Sequence, residues 1–182
     1  MVYILLGSGF EPIEAVAPCD ILRRGGAEVQ FAGIGGKTIV GGHGITLTAD
    51  CTVDEIRPED AEMIVLPGGM GGVRSIMASE KALSLVCEVW ARGNFVAAIC
   101  AAPTILAKLG ITDGKKAVCY PGMEDEMGKA LMQNASCVRD GRLITGRAAG
   151  ASCDFGLALL AAVRGEEAAR KAAKGIVYDY RA

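Results

Sequence analysis

Cys100 ends an apolar run: Phe95-Val96-Ala97-Ala98-Ile99-Cys100-Ala101-Ala102-Pro103. A strand that passes straight into a cysteine, two small residues and a helix-starting proline puts the sulfur at the carboxyl end of a sheet strand. Sites of α/β proteins collect there. The same position is a helix N-terminus, whose partial positive charge favours a thiolate and is expected to lower the cysteine pKa. A sharp strand-to-helix turn leaves no room for large neighbours, as in the nucleophile elbow of hydrolases. The backbone N–H of Ala101 is then a candidate oxyanion donor. A buried structural cysteine at an ordinary strand end is the competing reading.

Two further segments follow apolar runs and so reach the same sheet edge. Leu66-Pro67-Gly68-Gly69-Met70-Gly71-Gly72 lets backbone N–H groups approach a ligand closely. It lacks Gly-Lys-Ser/Thr and the dinucleotide spacing, which argues against nucleotide binding. A second oxyanion donor from Gly69 fits better, and a tight turn without a role stands beside it. Gly9-Phe10-Glu11-Pro12-Ile13-Glu14-Ala15-Val16 carries Glu14 inside the first helix. A surface glutamate is the ordinary outcome. If Glu14 points at Cys100, the two groups repel as anions, so one keeps a proton. Glu14 then has a raised pKa, donates to sulfur and can shuttle a proton.

The elements that position these residues read as alternating strands and helices. Val2–Leu6, Val29–Ala32, Met63–Leu66 and Phe95–Ile99 are near-continuous apolar runs, the mark of strands buried on both faces. Helices are expected over Pro12–Arg24, Ser79–Arg92 with an incomplete capping box, Ala102–Leu109 and Ser152–Arg164, and a surface helix over Gly165–Lys174. Thr38–Val40 and Ile45–Thr48 flank Gly41-Gly42-His43-Gly44 as an inserted hairpin; Cys137–Arg139 and Leu143–Thr145 flank Asp140-Gly141 as another. The pattern is a doubly wound α/β sheet in one domain spanning 1–182.

Composition narrows the function classes. Half of the 182 residues are apolar, 22% are charged, and the net charge is −2. That suits a globular core and argues against a nucleic-acid or polybasic membrane surface. No apolar run approaches the ~20 residues of a membrane-spanning helix, and the N-terminus reads as a buried strand rather than a signal peptide. Seven widely spaced cysteines, without Cys-x-x-Cys and with His43 as the one histidine, fit neither a disulfide framework nor a structural zinc site. Six of them are expected to be small apolar core residues in a reducing compartment, the cytoplasm.

The three segments, in this order, resemble the ThiJ/PfpI superfamily, in its DJ-one-like branch. The likeness continues through Thr145-Gly146-Arg147-Ala148-Ala149-Gly150 and Asp154-Phe155-Gly156-Leu157-Ala158 and so covers nearly the whole chain. The resemblance implies a flavodoxin-like three-layer sandwich and a cysteine, Cys100, paired with a protonated Glu14. It implies an oxyanion glycine at Gly69 and no metal or organic cofactor. It also implies a homodimer through the first helix and the Gly41–Gly44 hairpin, with Arg24 and Asp20 at the edge. Ala15, Val16, Ile21 and Leu22 of that helix read as apolar surface beyond what one sheet face covers.

Two departures bear on activity. Protease-like members place histidine directly after the nucleophile, where this chain has Ala101, so peptidase activity is discounted. Other members bring a histidine at the position of Tyr120, a phenol that is a poor base at neutral pH but able to hydrogen-bond a substrate carbonyl. His43 reads as a solvent-facing turn residue. The implied function is a cysteine-dependent enzyme acting on 2-oxoaldehydes (glyoxalase-like) or on their adducts with amines and thiols (deglycase-like). The alternative is an oxidative-stress sensor or holdase chaperone with little catalysis.

Overall fold

A computed structural model describes residues 1–180. Strand β1 (Val2–Leu6) leads into α1 (Pro12–Arg24), β2 (Val29–Gly33), a hairpin of β3 (Thr38–Val40) and β4 (Thr46–Thr48), and the short β5 (Cys51–Thr52). Then come β6 (Met63–Leu66), α2 (Met70–Met77), α3 (Glu80–Ala91), β7 (Phe95–Ile99), α4 (Pro103–Lys108) and β8 (Lys116–Ala117). The chain closes with β9 (Leu131–Met132), β10 (Cys137–Asp140), β11 (Leu143–Gly146), α5 (Ser152–Arg164) and α6 (Glu166–Gly175). One seven-stranded sheet has the order β10-β11-β7-β6-β1-β2-β5. Every pairing in it is parallel except β10 with β11. It is the flavodoxin-like α/β sandwich.

Two apolar layers explain why the central strands are continuous hydrophobic runs. Val2, Ile4, Leu6, Val65, Ala97 and Ile99 face the layer of α1, α5 and α6. Tyr3, Leu5, Ile64, Leu66, Val96 and Ala98 face α2, α3 and α4. Both sets are shielded from water, so alternation changes the partner and not the polarity. Because β1, β6 and β7 run in parallel register, their carboxyl ends lie side by side and the three loops that follow meet at one edge.

The structure corrects several expectations. Glycines 71 and 72 lie inside helix α2, which their poor helix propensity hides from the sequence. The helix holds because Val73 and Ile76 are buried and because the glycines pack on Gly9 and Phe10. A Cβ on Gly71 would stand 2.8 Å from Gly9 Cα, and one on Gly72 2.8 Å from Phe10 Cα. Helix α4 is shorter than expected, with Ala102 and Leu109 only flanking it. Ala15, Ile21 and Leu22 are not spare apolar surface. They are buried in the core that α1 shares with the sheet and α5, where Gly156 lets the two helices approach: a Cβ there would lie 2.9 Å from Ile21 Cδ1 and 3.0 Å from Pro18 Cα. Cys87 is exposed and so is not a core residue, while Cys19 and Cys119 are buried. No described helix is long and apolar enough to cross a membrane.

Candidate functional site

Cys100 stands between β7 and α4 with φ +67°, left-handed backbone that a non-glycine residue adopts at a cost of roughly 1–3 kcal/mol. Two bonds hold it there. Its N–H donates to Gly146 O (3.0 Å), and its C=O accepts from Tyr120 N–H (2.7 Å). Ala101 and Ala102 are buried in the turn, as the need for small neighbours predicts.

Glu14 is fully buried, not a surface residue. The Gly68 N–H donates to its Oε2 at 2.8 Å. Oε1 is buried and finds no oxygen or nitrogen partner; the other side-chain interaction of this carboxyl is with the Cys100 thiol. Burial pushes the Glu14 pKa up to about 7, against the pull of the bonds from Cys100 and Gly68.

The Cys100 thiol differs from the expectation of a depressed pKa. Burial, then the Glu14 charge and hydrogen bond, push it up to about 12, while the backbone N–H groups of Ala101 and Gly69 pull the other way. Helix α4 has six residues, too short a dipole to offset a neighbouring carboxylate. The two groups are therefore coupled. A charge on either disfavours a charge on the other, and the thiolate becomes accessible when Glu14 holds the shared proton.

Gly69 (φ +81°) sits against Gly9 and Glu11, and a Cβ on it would lie 2.5 Å from Gly9 O. Glu11 N–H donates to Gly68 O at 3.0 Å, which ties the loop after β6 to the start of α1. A cleft of about 240 Å³ opens over the sulfur, lined by Glu11, Gly69, Met70, Cys100, Ala101, Tyr120 and Met123. The structure thus brings Cys100, Gly69, Ala101 and Tyr120 to one cleft, with Glu14 beneath it. Sequence reading missed Glu11, Met70 and Met123 as lining and Gly68 as spacer. Gly68 carried a signal, the paired glycines after a strand, and so did Glu11, whose segment follows a strand and reaches the same sheet edge.

His43 stands apart, exposed on the turn of the β3–β4 hairpin, with Nε2 3.6 Å from Glu11 Oε2. Arg24 Nε pairs with Asp20 Oδ2 of its own helix at 2.7 Å. Among the described residues no group of three or more His, Cys, Asp or Glu is placed to hold a metal ion.

A family model described as the DJ-1/PfpI family matches residues 1–162. Protein dj-1beta of Drosophila melanogaster is 32% identical over 180 residues, which cover 97% of this chain and 96% of the relative. A Pyrococcus horikoshii protein named a deglycase is 36% identical over 148 residues, 80% of this chain and 89% of the relative. A solved DJ-1 superfamily protein of Salmonella typhimurium, the crystallised C-to-A mutant, superposes with TM-score 0.93 at 31% identity, covering 98% of both chains.

Proposed function

The chain belongs to the DJ-1/PfpI family, and from that premise we propose that it is a Cys100-dependent enzyme, needing no cofactor, that acts on 2-oxoaldehydes or their adducts. The observation that carries this reading is the coupled pair: a strained, cleft-facing Cys100 beside a buried Glu14 whose pKa lies near neutrality. A general acid–base works best with a pKa close to the working pH. Relatives named deglycases support the adduct branch of the reading.

In the reaction, Glu14 keeps the shared proton and Cys100 attacks as the thiolate. The sulfur–carbon bond forms at the aldehyde carbon while the carbonyl pair moves onto oxygen, beneath the N–H groups of Gly69 and Ala101. Glu14 gives that oxygen its proton. As a carboxylate it then takes the hydrogen from the same carbon as a proton, leaving an enediolate, and returns it to the neighbouring carbonyl carbon while the proton on the first oxygen passes to the second, which gives a 2-hydroxyacyl thioester on Cys100. Water hydrolyses the thioester to the 2-hydroxy acid and the free thiol, so no external electrons enter. From an adduct, the carrier amine or thiol leaves as the Cys100 bond forms. Tyr120 offers a hydroxyl to the second carbonyl.

Turnover of methylglyoxal, and release of amine from its adducts, by pure protein without glutathione is the test, compared with Cys100→Ser. Loss of both activities in the variant supports the proposal. Wild type that consumes neither substrate yet oxidises at Cys100 under peroxide favours the sensor reading.

The same reading includes a homodimer. Ile13 and Val16 of α1 and Val40 and Ile45 of the hairpin region are large apolar side chains 42–53% exposed. The hairpin is tied to the start of α1 by the Gly42 N–H bond to Phe10 O (2.8 Å). These four residues, not Ala15 or Ile21, are the surface we assign to the partner.

A further inference from the structure

The catalytic cleft does not end at Cys100. Met70 and Met123 line it and also line a second groove of about 420 Å³, which runs outward between α2 and α4. Val73 and Met77 extend its apolar floor, and Arg74, Lys108 and Glu126 stand at its rim. Methionine floors adapt to linkers of differing shape. Arg74 and Lys108 are exposed, and neither makes an ion pair among the described residues. Glu126 comes from the turn Glu124–Met127 and leaves the rim with one net positive charge.

Spacing sets what reaches the cations. Arg74 is the fifth residue after Gly69, and Lys108 the fifth after Pro103. At ~1.5 Å of rise per residue, each lies about 7–8 Å along its helix from the end that meets the cleft. Free methylglyoxal, with three carbons, is shorter than that axial distance, whereas a carrier about two extended residues long, at ~3.3–3.6 Å each, spans it.

Building on the proposed catalytic reading, we infer that this groove is a carrier subsite, selecting 2-oxoaldehyde adducts whose thiol or amine carrier has an apolar linker ending in an anion. With a thiol carrier the step is an exchange. The Cys100 sulfur–carbon bond forms, the carrier's sulfur–carbon bond breaks, and the carrier leaves as a thiol with the proton that Glu14 relays. Nothing is oxidised or reduced. Arg74 and Lys108 attract the carrier's anion across a rim that water still reaches, so the preference weakens with salt.

The test compares methylglyoxal adducts of 6-mercaptohexanoate and 6-mercaptohexanol. Wild type should favour the anionic adduct about tenfold in kcat/KM. The ratio should fall towards one in Arg74→Gln/Lys108→Gln and rise in Glu126→Gln. A wild-type ratio near one, or one that the double substitution leaves in place, overturns the subsite. A second measurement needs no turnover: hexanoate should protect Cys100 from iodoacetamide at lower concentration than hexanol does, and only when Arg74 and Lys108 are present. Selective protection without turnover would sink the catalytic reading and keep the subsite. Turnover without charge preference or selective protection would do the reverse.

Discussion

Glu14 and Cys100 meet across a glycine. Gly68 donates its N–H to Glu14 Oε2 at 2.8 Å. A Cβ on Gly68 would stand 2.6 Å from that oxygen and 2.7 Å from Cys100 Cβ. The main chain of the loop after β6 therefore sets the separation of the acid and the sulfur, and a side chain at Gly68 would have to displace one of them.

Gly68→Ala should accordingly separate the pair. The added methyl has to displace the carboxyl or the elbow, and overpacking of this kind costs about 1–3 kcal/mol. The expected result is a folded protein with a lower Tm and aldehyde turnover reduced more than tenfold. Full activity with an unchanged Tm would mean that the pair tolerates a wider spacing.

Glu14 should leave a mark on stability against pH. Its folded pKa, about 7, lies above the ordinary carboxylate value of 4.5. The folded state thus holds a proton that the unfolded chain releases. The stabilising effect of that proton is complete below pH ~4.5 and is lost as pH rises through about 7. Denaturant titrations should show wild type weakening across that window, and Glu14→Gln should flatten the slope. An identical pH profile in the two proteins would contradict a buried, protonated Glu14.

The same substitution should quicken alkylation of Cys100. The Glu14 charge and hydrogen bond both push the thiol up. A glutamine removes the charge and can donate to the thiolate. Mass-spectrometric mapping at pH 8, with exposed Cys87 as the internal reference, should show Cys100 labelled several-fold faster in Glu14→Gln. Slower labelling would mean that the carboxylate acts as the base that generates the thiolate.

How much of this was legible in the sequence depended on whether the signal was local. The Cys100 elbow was, because an apolar strand, small residues and a proline must follow each other in the chain to make that turn. Glu14 was legible only as an alternative, since a lone glutamate near a helix start is ordinarily exposed. Helix α2 was hidden: its glycines lower helix propensity locally, and the compensation comes from Gly9 and Phe10, sixty residues away. Ile21 was misread because one sheet face did not suffice to cover α1, and α5 supplies the rest. The thiol pKa was misjudged because the helix after Cys100 is local and visible, whereas burial and the Glu14 charge arise only on folding.

Tyr120 tests what replaced the expected imidazole. It lines the cleft and is half-exposed, with its N–H engaged by Cys100 O. Its ring can change without disturbing that bond. Tyr120→His should add a base with a pKa near ~6.5, raise turnover several-fold, and add a second inflection in kcat/KM beside the one Glu14 gives near pH 7. A profile unchanged from wild type would leave Glu14 as the sole proton carrier.

The dimer surface can be tested at Val16. It lies three residues from Ile13 on the same face of α1, and both point away from the buried Ala15, Pro18 and Ile21. A two-fold interface meets each substitution twice. Burying one valine contributes about 1.5–3 kcal/mol, so losing two copies costs about 3 kcal/mol or more, over a hundredfold in dissociation constant. Val16→Asp adds two facing carboxylates to that loss. Light scattering should show a dimer for wild type at micromolar concentration and a monomer for Val16→Asp, whereas Val177→Asp, at an exposed position outside this surface, serves as the dimeric control. The effect should reach the cleft, because Glu11 lines it and lies beside His43 of the hairpin at 3.6 Å. Cys100 should therefore be alkylated at a different rate in the Val16→Asp monomer. A wild type that is monomeric throughout would remove the partner from the site and leave Cys100 in a more open cleft, where sensing of oxidants suits it better than efficient turnover.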